Sequence, residues 1–394
     1  MLTPAEVSWI RDHPAQLAEL SAAVELTPAT AVSDAARAAQ LLGEYGRAGL
    51  EVVAARAKAA GKIPPHWITD RDAAQQATDP LVAAHRARRV AGVLGRGARV
   101  VDVTCSIGTE LDHLARAGLA ATGFDLDISR VAMARANTGL PVAVADALAP
   151  AFHPGNTEVV IADPARRNST GRITDPDKLL PPLGRLMETY AGATGFMVKC
   201  APGLDYSFHD GPVEVTSVDG HVKEVLLASS GLGLGARRTA TLIRRVPGST
   251  TGRVQVDTIT DAAGEIADAD IVTAPRRFII DPDGAVVRAG LVRHYAAAHG
   301  LSMLDPRIAH VTGDRLPEGT TGFEIIEQVP IKKAGRALKA FGCGQVEILV
   351  RGVDVNPDRL RAGFKLKGSR PFALVITRIG RTGTAFICHP RTTG

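Results

Sequence analysis

The chain reads as an α/β protein in which a doubly wound, mostly parallel sheet follows a helical domain and precedes a small α+β module. Three observations predict this. Between about Arg99 and Pro247, apolar strand-like runs alternate with helical stretches. The stretch "VVDVTCSIGTE", Val100 to Glu110, passes from a strand through a small-residue turn into a helix. Successive strand-like runs there end in or beside an acid, giving the series Asp102, Asp125, Asp146 and Asp163.

Residues 1–66 are rich in Ala, Leu, Glu and Arg, with apolar side chains at helical spacing in "LAELSAAVEL" and "AAQLLGEYGRAGLEVVAARAKAA"; they predict a helical N-terminal domain. Residues 67–247 carry the sheet. Asp79-Pro80 starts the helix before the first strand, with Arg86, Arg88 and Arg89 in its C-terminal half. In the turn after that strand, Cys105, Ser106 and Gly108 leave the backbone bare, and a helix begins near Thr109 with Leu111, Leu114 and Ala115 on one face. Residues 248–322 form a Gly- and Thr-rich connecting region. From Phe323 to Gly394, "FEIIEQVPI", "KKAGRALKAFG", "QVEILVRGVDV", "NPDRLRAGFKL" and "FALVITRIG" read strand, helix, strand, helix, strand.

With 394 residues, 45% of them hydrophobic and 22% charged, the chain can bury a large core, and no apolar run approaches the roughly 18 to 20 residues that cross a bilayer. The opening "MLTPAEVSWIRDHP" lacks the apolar core of a signal peptide, so a cytoplasmic protein is expected. Cys105, Cys200, Cys343 and Cys388 have no paired spacing, which suggests reduced thiols and neither a metal site nor a disulfide framework. The net charge of +5 is uneven: from Ile331 to Gly394 there are thirteen Lys or Arg against three acids, a local net of +10. Such a module suits a polyanion, of which nucleic acid is the commonest soluble kind. Oligomeric state is left open.

An acid at the C-terminal edge of a parallel strand faces the ligand crevice, so the four aspartates can surround one cofactor. Asp125, 23 residues after Asp102, suits a ribose diol, and Asp146 then falls where an adenine amino group would lie. "CSIGTE" offers one glycine and no G-x-G-x-x-G, which argues against a dinucleotide pyrophosphate; "GLGLG" at 231–235 comes too late in the sheet to replace it.

These residues resemble the class I S-adenosylmethionine-dependent methyltransferases, in particular the RNA-directed branch. "VDVTCSIGTE" is similar to motif I, "GFDLDISRVAMARAN" to the ribose-binding segment and its helix, "ADAL" to the adenine-contacting turn, and "DPARR" to motif IV. The closest likeness is to bacterial methyltransferases that end in a THUMP-like domain, and it covers most of the chain through "VKCAPGLDY", "RRFIIDPDGAVVRAGL" and "EILVRGVDVNPDRLRAGFKLKGSRPFALVITRIG". The resemblance implies S-adenosylmethionine as cofactor, with Asp102, Cys105, Ser106 and Gly108 at its methionine end, Asp125 and Leu126 at the ribose, and Asp146 and Ala147 at the adenine. It also implies a base nitrogen of structured RNA, tRNA or rRNA, as the methyl acceptor; a protein or small-molecule acceptor, or a catalytically silent RNA-binding role, is the alternative.

"DPARR" lacks the aromatic residue that stacks the target base in the enzymes acting on exocyclic nitrogens, yet Asp163-Pro164 at a strand end can meet an attacking amine while Arg166 and Arg167 hold phosphates. The same motif is similar to the "DPPR" of uracil C5 methyltransferases, which use a cysteine on the next strand, where this chain has Cys200. Lys199 and Cys200 point to opposite faces, so one of them should face the crevice. Five basic doublets (Arg166-Arg167, Arg237-Arg238, Arg244-Arg245, Arg276-Arg277 and Lys332-Lys333) would make a phosphate track if several shared a face, although each alone suits a solvated pair. His66-Trp67 after a double proline fits a packed hinge better than a base-stacking platform.

Overall fold

The computed structural model describes residues 2–164, 167–168, 171–172, 175–246, 248–249, 252–262, 271–272 and 274–394. The chain forms two compact units, residues 1–218 with 223–235, and residues 219–222 with 236–394.

The first unit begins with helices α1 (Pro4–Asp12), α2 (Pro14–Ala23), α3 (Ala31–Leu42) and α4 (Gly46–Lys58). Thr3 and Glu6 form a reciprocal capping box around α1, with Pro4 at its first position, so the helix start is written in four residues. Helices α5 (Arg71–Gln76) and α6 (Pro80–Leu94) are capped by the side chains of Asp70 and Asp79. Trp67 is buried in the helical core with Val52, Ile63 and Ile68, and its carbonyl accepts from Arg56; it is a packing residue and not a platform for a base.

Strands β1 (Arg99–Asp102), β2 (Ala120–Asp125), β3 (Val142–Val144), β4 (Val159–Ala162), β5 (Gly195–Cys200), β6 (Val213–Val218) and β7 (His221–Ala228) follow the order β6-β7-β5-β4-β1-β2-β3. Neighbours from β5 through β3 are parallel, while β7 runs antiparallel to β5. Helices α7 (Thr109–Arg116), α8 (Ile128–Thr138) and α9 (Leu183–Thr189) complete the unit. Two apolar clusters sandwich the sheet, one joining Val100, Val159 and Ile161 to Leu111 and Leu114 of α7, the other joining Val101 and Val160 to Leu186 and Tyr190. Ile107, in the turn after β1, and Met133 of α8 belong to the core of the N-terminal helices, so these helices and that side of the sheet share one interior.

The second unit holds an antiparallel pair, β8 (Arg238–Arg245) and β9 (Val254–Thr260), and an eight-stranded sheet. The sheet contains β10 (Phe278–Ile280), β11 (Ser302–Asp305), β12 (Ile308–Gly313), β13 (Thr321–Pro330), β14 (Cys343–Arg351), β15 (Arg370–Ile379), β16 (Thr382–Cys388) and β17 (Thr392–Thr393), in the order β11-β12-β10-β13-β16-β15-β14 with β17 beside β13. Helices α10 (Gly284–Arg288) and α11 (Val292–Ala298) precede it in part, and α12 (Ala334–Ala340) and α13 (Pro357–Phe364) lie between its later strands. The alternation read from Phe323 onward corresponds to β13, α12, β14, α13 and β15, with β14 and β15 parallel as a β-α-β crossover requires. The structure adds β16, a hairpin partner of β15 across a turn with Gly380 at φ +60°. Its five buried residues "TAFIC" lack the polar alternation that marks a half-exposed strand.

No helix among the described residues is long and apolar enough to cross a membrane.

Candidate active site

The acids noted in the sequence gather at one edge of the first sheet. β1 ends on Asp102 and β2 on Asp125, Asp163 follows β4 directly, and Asp146 lies just beyond β3. Between β1 and α7 the turn takes two positive φ values, Ser106 at +49° and Gly108 at +90°. Cys105 and Ile107 point inward, at 3% and 1% exposure, so the turn offers backbone to the crevice. The glycine answers to its neighbour helix: a Cβ there would stand 2.7 Å from Thr138 Cγ2 on α8.

Asp125 fixes the turn's shape. Its Oδ2 accepts from Ser106 N at 2.8 Å and its Oδ1 from Asp127 N at 3.0 Å. Burial still pushes its carboxyl above the ordinary value, against those two bonds. A carboxylate has about four acceptor sites, so two remain for hydroxyls. Beside it Leu126 is 71% exposed, an apolar face with no protein cover. Asp146 accepts from Leu148 N at 2.8 Å, and buried Ala147 gives its carbonyl to Tyr190 Oη at 2.7 Å. Phe124, Phe152 and Tyr190 stack in sequence behind this corner, with centroids 5.5 and 6.0 Å apart.

Asp102 is buried, and Thr104 N donates to its Oδ1 at 3.0 Å. Burial, opposed by Lys199 and reinforced by Glu110 and Asp163, pushes its carboxyl up to about 7. Thr104 Oγ1 in turn accepts from Asp163 N at 2.6 Å, tying the tips of β1 and β4 together.

Of the two neighbours on β5, Lys199 is the one that meets the crevice acids. Its Nζ lies 2.8 Å from Asp163 Oδ2 and 3.5 Å from Glu110 Oε2, and donates to Thr78 Oγ1. Burial alone would lower the Lys199 ammonium, but Asp163 and Glu110 outweigh it and hold it above its ordinary value. Cys200 is buried with its thiol directed to the Val198 carbonyl of its own strand, 3.8 Å away. Pro164 is buried after Asp163; Arg166 lies outside the described residues, and Arg167 is described only in its backbone, paired with Arg172.

The charge partners of Lys199 are what the sequence did not reveal. Glu110 and Arg86 are buried, 2.6 Å apart, and Arg86 also pairs with buried Glu224 of β7. Arg86 lies midway along α6 and Glu110 in the first turn of α7, where an acidic side chain complements the helix start and needs no buried partner. Two of the five basic doublets find acids in the fold: Arg244 pairs with Asp257, Arg245 with Asp219, Arg276 with Asp314 and Arg277 with Glu324. In the C-terminal module, Lys332, Lys333, Arg336, Lys339, Lys365 and Lys367 are exposed without an acidic partner among the described residues.

This strand order, with a bare turn after β1 and acids along one edge, defines the class I methyltransferase fold. Residues 320–390 match the THUMP domain-like family model. Over 364 residues the chain is 43% identical to a protein of Mycobacterium tuberculosis strain H37Rv described as an uncharacterized S-adenosylmethionine-dependent methyltransferase, a match covering 86% of this chain and 96% of the relative. The counterpart in strain CDC 1551 / Oshkosh matches to the same extent. A crystal structure of a Porphyromonas gingivalis W83 protein described as a methyltransferase has a TM-score of 0.69 over 98% of this chain and 97% of that one, at 17% identity, a likeness of fold. The chain belongs to the S-adenosylmethionine-dependent methyltransferases.

Proposed function

We propose that the enzyme transfers a methyl group from S-adenosylmethionine to a base nitrogen in structured RNA, tRNA or rRNA. The Asp163–Lys199 pair carries this reading. It puts a carboxylate oxygen at the tips of β4 and β5, next to the cofactor turn, where it can accept a hydrogen bond from an attacking amine and align it for in-line displacement. Asp102, Cys105, Ser106 and Gly108 would hold the methionine end of S-adenosylmethionine, Asp125 and Leu126 its ribose, and Asp146 and Ala147 its adenine; once bound, it would supply the methyl group.

Pro164 restricts the backbone of Asp163 before it, and Arg166 and Arg167, whose side chains lie outside the described residues, would hold phosphates of the substrate. Lys199 is the counterion that orients Asp163. Cys200 is a packed thiol with no bond to substrate. RNA as the acceptor is supported by the THUMP-like match at 320–390 and by the exposed cations of that region, one of which, Lys365, lines a groove of about 510 Å³ between α13 and β14 together with Arg361.

The test is methyl transfer from labelled S-adenosylmethionine into total RNA from a strain lacking this gene, followed by digestion and mass analysis of nucleosides. An N-methylated nucleoside is the expected product. A 5-methylpyrimidine would overturn the nitrogen assignment, and label entering protein or metabolites but not RNA would overturn the acceptor.

A further inference from the structure

We infer that Glu110 and Arg86 are positioning residues for methyl transfer: with Glu224 they form a buried ladder of alternating charge that fixes Lys199 as a cation aimed at Asp163. The inference rests on the reading of Asp163 as the group that meets the acceptor.

The ladder crosses the interior of the first unit. It runs from Glu224 on β7 to Arg86 on α6, to Glu110 in the first turn of α7, to Lys199 on β5 and to Asp163 after β4. Side chains of the four inner members are 2–6% exposed, while that of Asp163 is 24% exposed, so the ladder meets solvent at the mouth alone. Glu110 is shared between two cations, and these outweigh its burial to hold its carboxyl below the ordinary value.

Buried ion networks are poor stabilisers compared with apolar side chains of the same volume, so stability alone gives little account of five charges in a row. The arrangement does control the mouth. Lys199 has a hydroxyl partner in Thr78, and its acidic neighbours are Glu110 from α7 and Asp163 from β4, with Asp102 of β1 also facing it. Lys62, near Asp79 and Lys223, is a further cation in its surroundings. With Glu110 ionised, Lys199 is held from behind and approaches Asp163 without depending on it. If the Glu110 charge is removed, Arg86 and Lys199 become two buried cations without their common counterion. Lys199 then sheds its proton more readily, and Asp163 loses the partner that orients it.

The experiment compares Glu110→Gln, Arg86→Met, Arg86→Lys and the triple variant R86M/E110Q/E224Q, using labelled S-adenosylmethionine and total RNA from the deletion strain. Nitrogen-15 NMR of the Lys199 ammonium is followed against pH alongside. Glu110→Gln should move the alkaline limb of kcat and the loss of the ammonium signal to lower pH by about one unit, cutting kcat about tenfold on that limb, with KM for the cofactor within about twofold.

The triple variant removes the ladder without leaving an unpaired member, so it should melt near the parent temperature yet keep the displaced limb. Arg86→Lys should recover more of the parent profile than Arg86→Met. A parent-like limb and ammonium titration in both Glu110→Gln and the triple variant would overturn the inference, leaving the ladder a structural feature. Asp163→Asn separates the premise: if it retains methyl transfer, the reading of Asp163 fails, and if it is inactive while Glu110→Gln and the triple variant keep parent-like limbs, the ladder inference fails alone.

Discussion

Lys199 Nζ stands 2.8 Å from Asp163 Oδ2, and this contact joins the ends of two adjacent parallel strands at the point where the sheet opens. On the proposed reading, in which Asp163 meets the acceptor, Asp163→Ala is expected to abolish methyl transfer while leaving S-adenosylmethionine affinity within about twofold. Cys200→Ser should retain most activity. Calorimetry for the cofactor and label incorporation for the reaction check both, and a folded but inactive Cys200→Ser protein would return the cysteine to the mechanism.

Replacing Asp125 with Ala should weaken cofactor binding at least tenfold, from loss of charge-assisted bonds worth about 1.5 to 3 kcal/mol. Asp125→Asn should fall between, because the amide keeps one acceptor for Ser106 N or Asp127 N. Calorimetric titration with S-adenosylmethionine reads both variants, and parent affinity in Asp125→Ala would remove the residue from the site.

The Asp102 carboxyl, ordinarily near 3.8, titrates near 7 in the folded protein without cofactor. A folded-state value raised above the unfolded one means that the folded protein binds more protons between those limits. The stability it contributes is therefore complete below about pH 4 and is lost as pH rises through 7. Binding of an ammonium requires the ionised form, so affinity for S-adenosylhomocysteine should rise from pH 5 toward 7 and level above it. Asp102→Asn should weaken binding and flatten that dependence; a dependence retained in the variant would assign it to another group.

Gly108→Ala should destabilise the protein by about 1 to 3 kcal/mol for its positive φ, with a further cost from the approach to Thr138 Cγ2. Thr138→Ser removes that methyl and keeps the hydroxyl that bonds Ala134 O, so the double variant should recover part of the loss. Thermal melts of the three proteins test the coupling.

Deleting the chain from Phe323 is a poor test of RNA binding, because it removes β14 to β17 and most of β13 from the second sheet. Changing Lys332, Lys333, Arg336 and Lys339 to Gln leaves the fold intact. If all four meet phosphates, the slope of log affinity against log salt should fall by about 3 to 4, with cofactor binding unchanged. An unchanged slope would place the RNA elsewhere.

The strand–turn–helix from Val100 to Glu110 was legible because its signals are local: a β run, small residues, then a helical face. The same holds for the helix start at Asp79-Pro80, where the Asp79 side chain caps α6. Pairings were not legible. Lys199 and Thr78 are 121 residues apart, and Arg86 and Glu224 are 138 apart, so no periodicity links them. An arginine at a helical position reads as solvated until a facing strand brings an acid to it. The same holds for two of the basic doublets, Arg244-Arg245 and Arg276-Arg277, whose acids Asp257, Asp219, Asp314 and Glu324 reach them only through folding.

Asn137 accepts from Ile68 N at 2.7 Å and donates to Ile68 O at 3.0 Å and to Ile107 O at 3.1 Å, acting as a short strand between the N-terminal helices and the turn after β1. On the ribosome this sets an order of events. The first helices emerge early, yet the face bearing Ile63, Trp67 and Ile68 meets its last partners only once Met133 and Asn137 have been synthesised. A pause in translation before that point would hold an apolar surface open to chaperones, and the turn between β1 and α7 would stay without its Asn137 brace until α8 had been made.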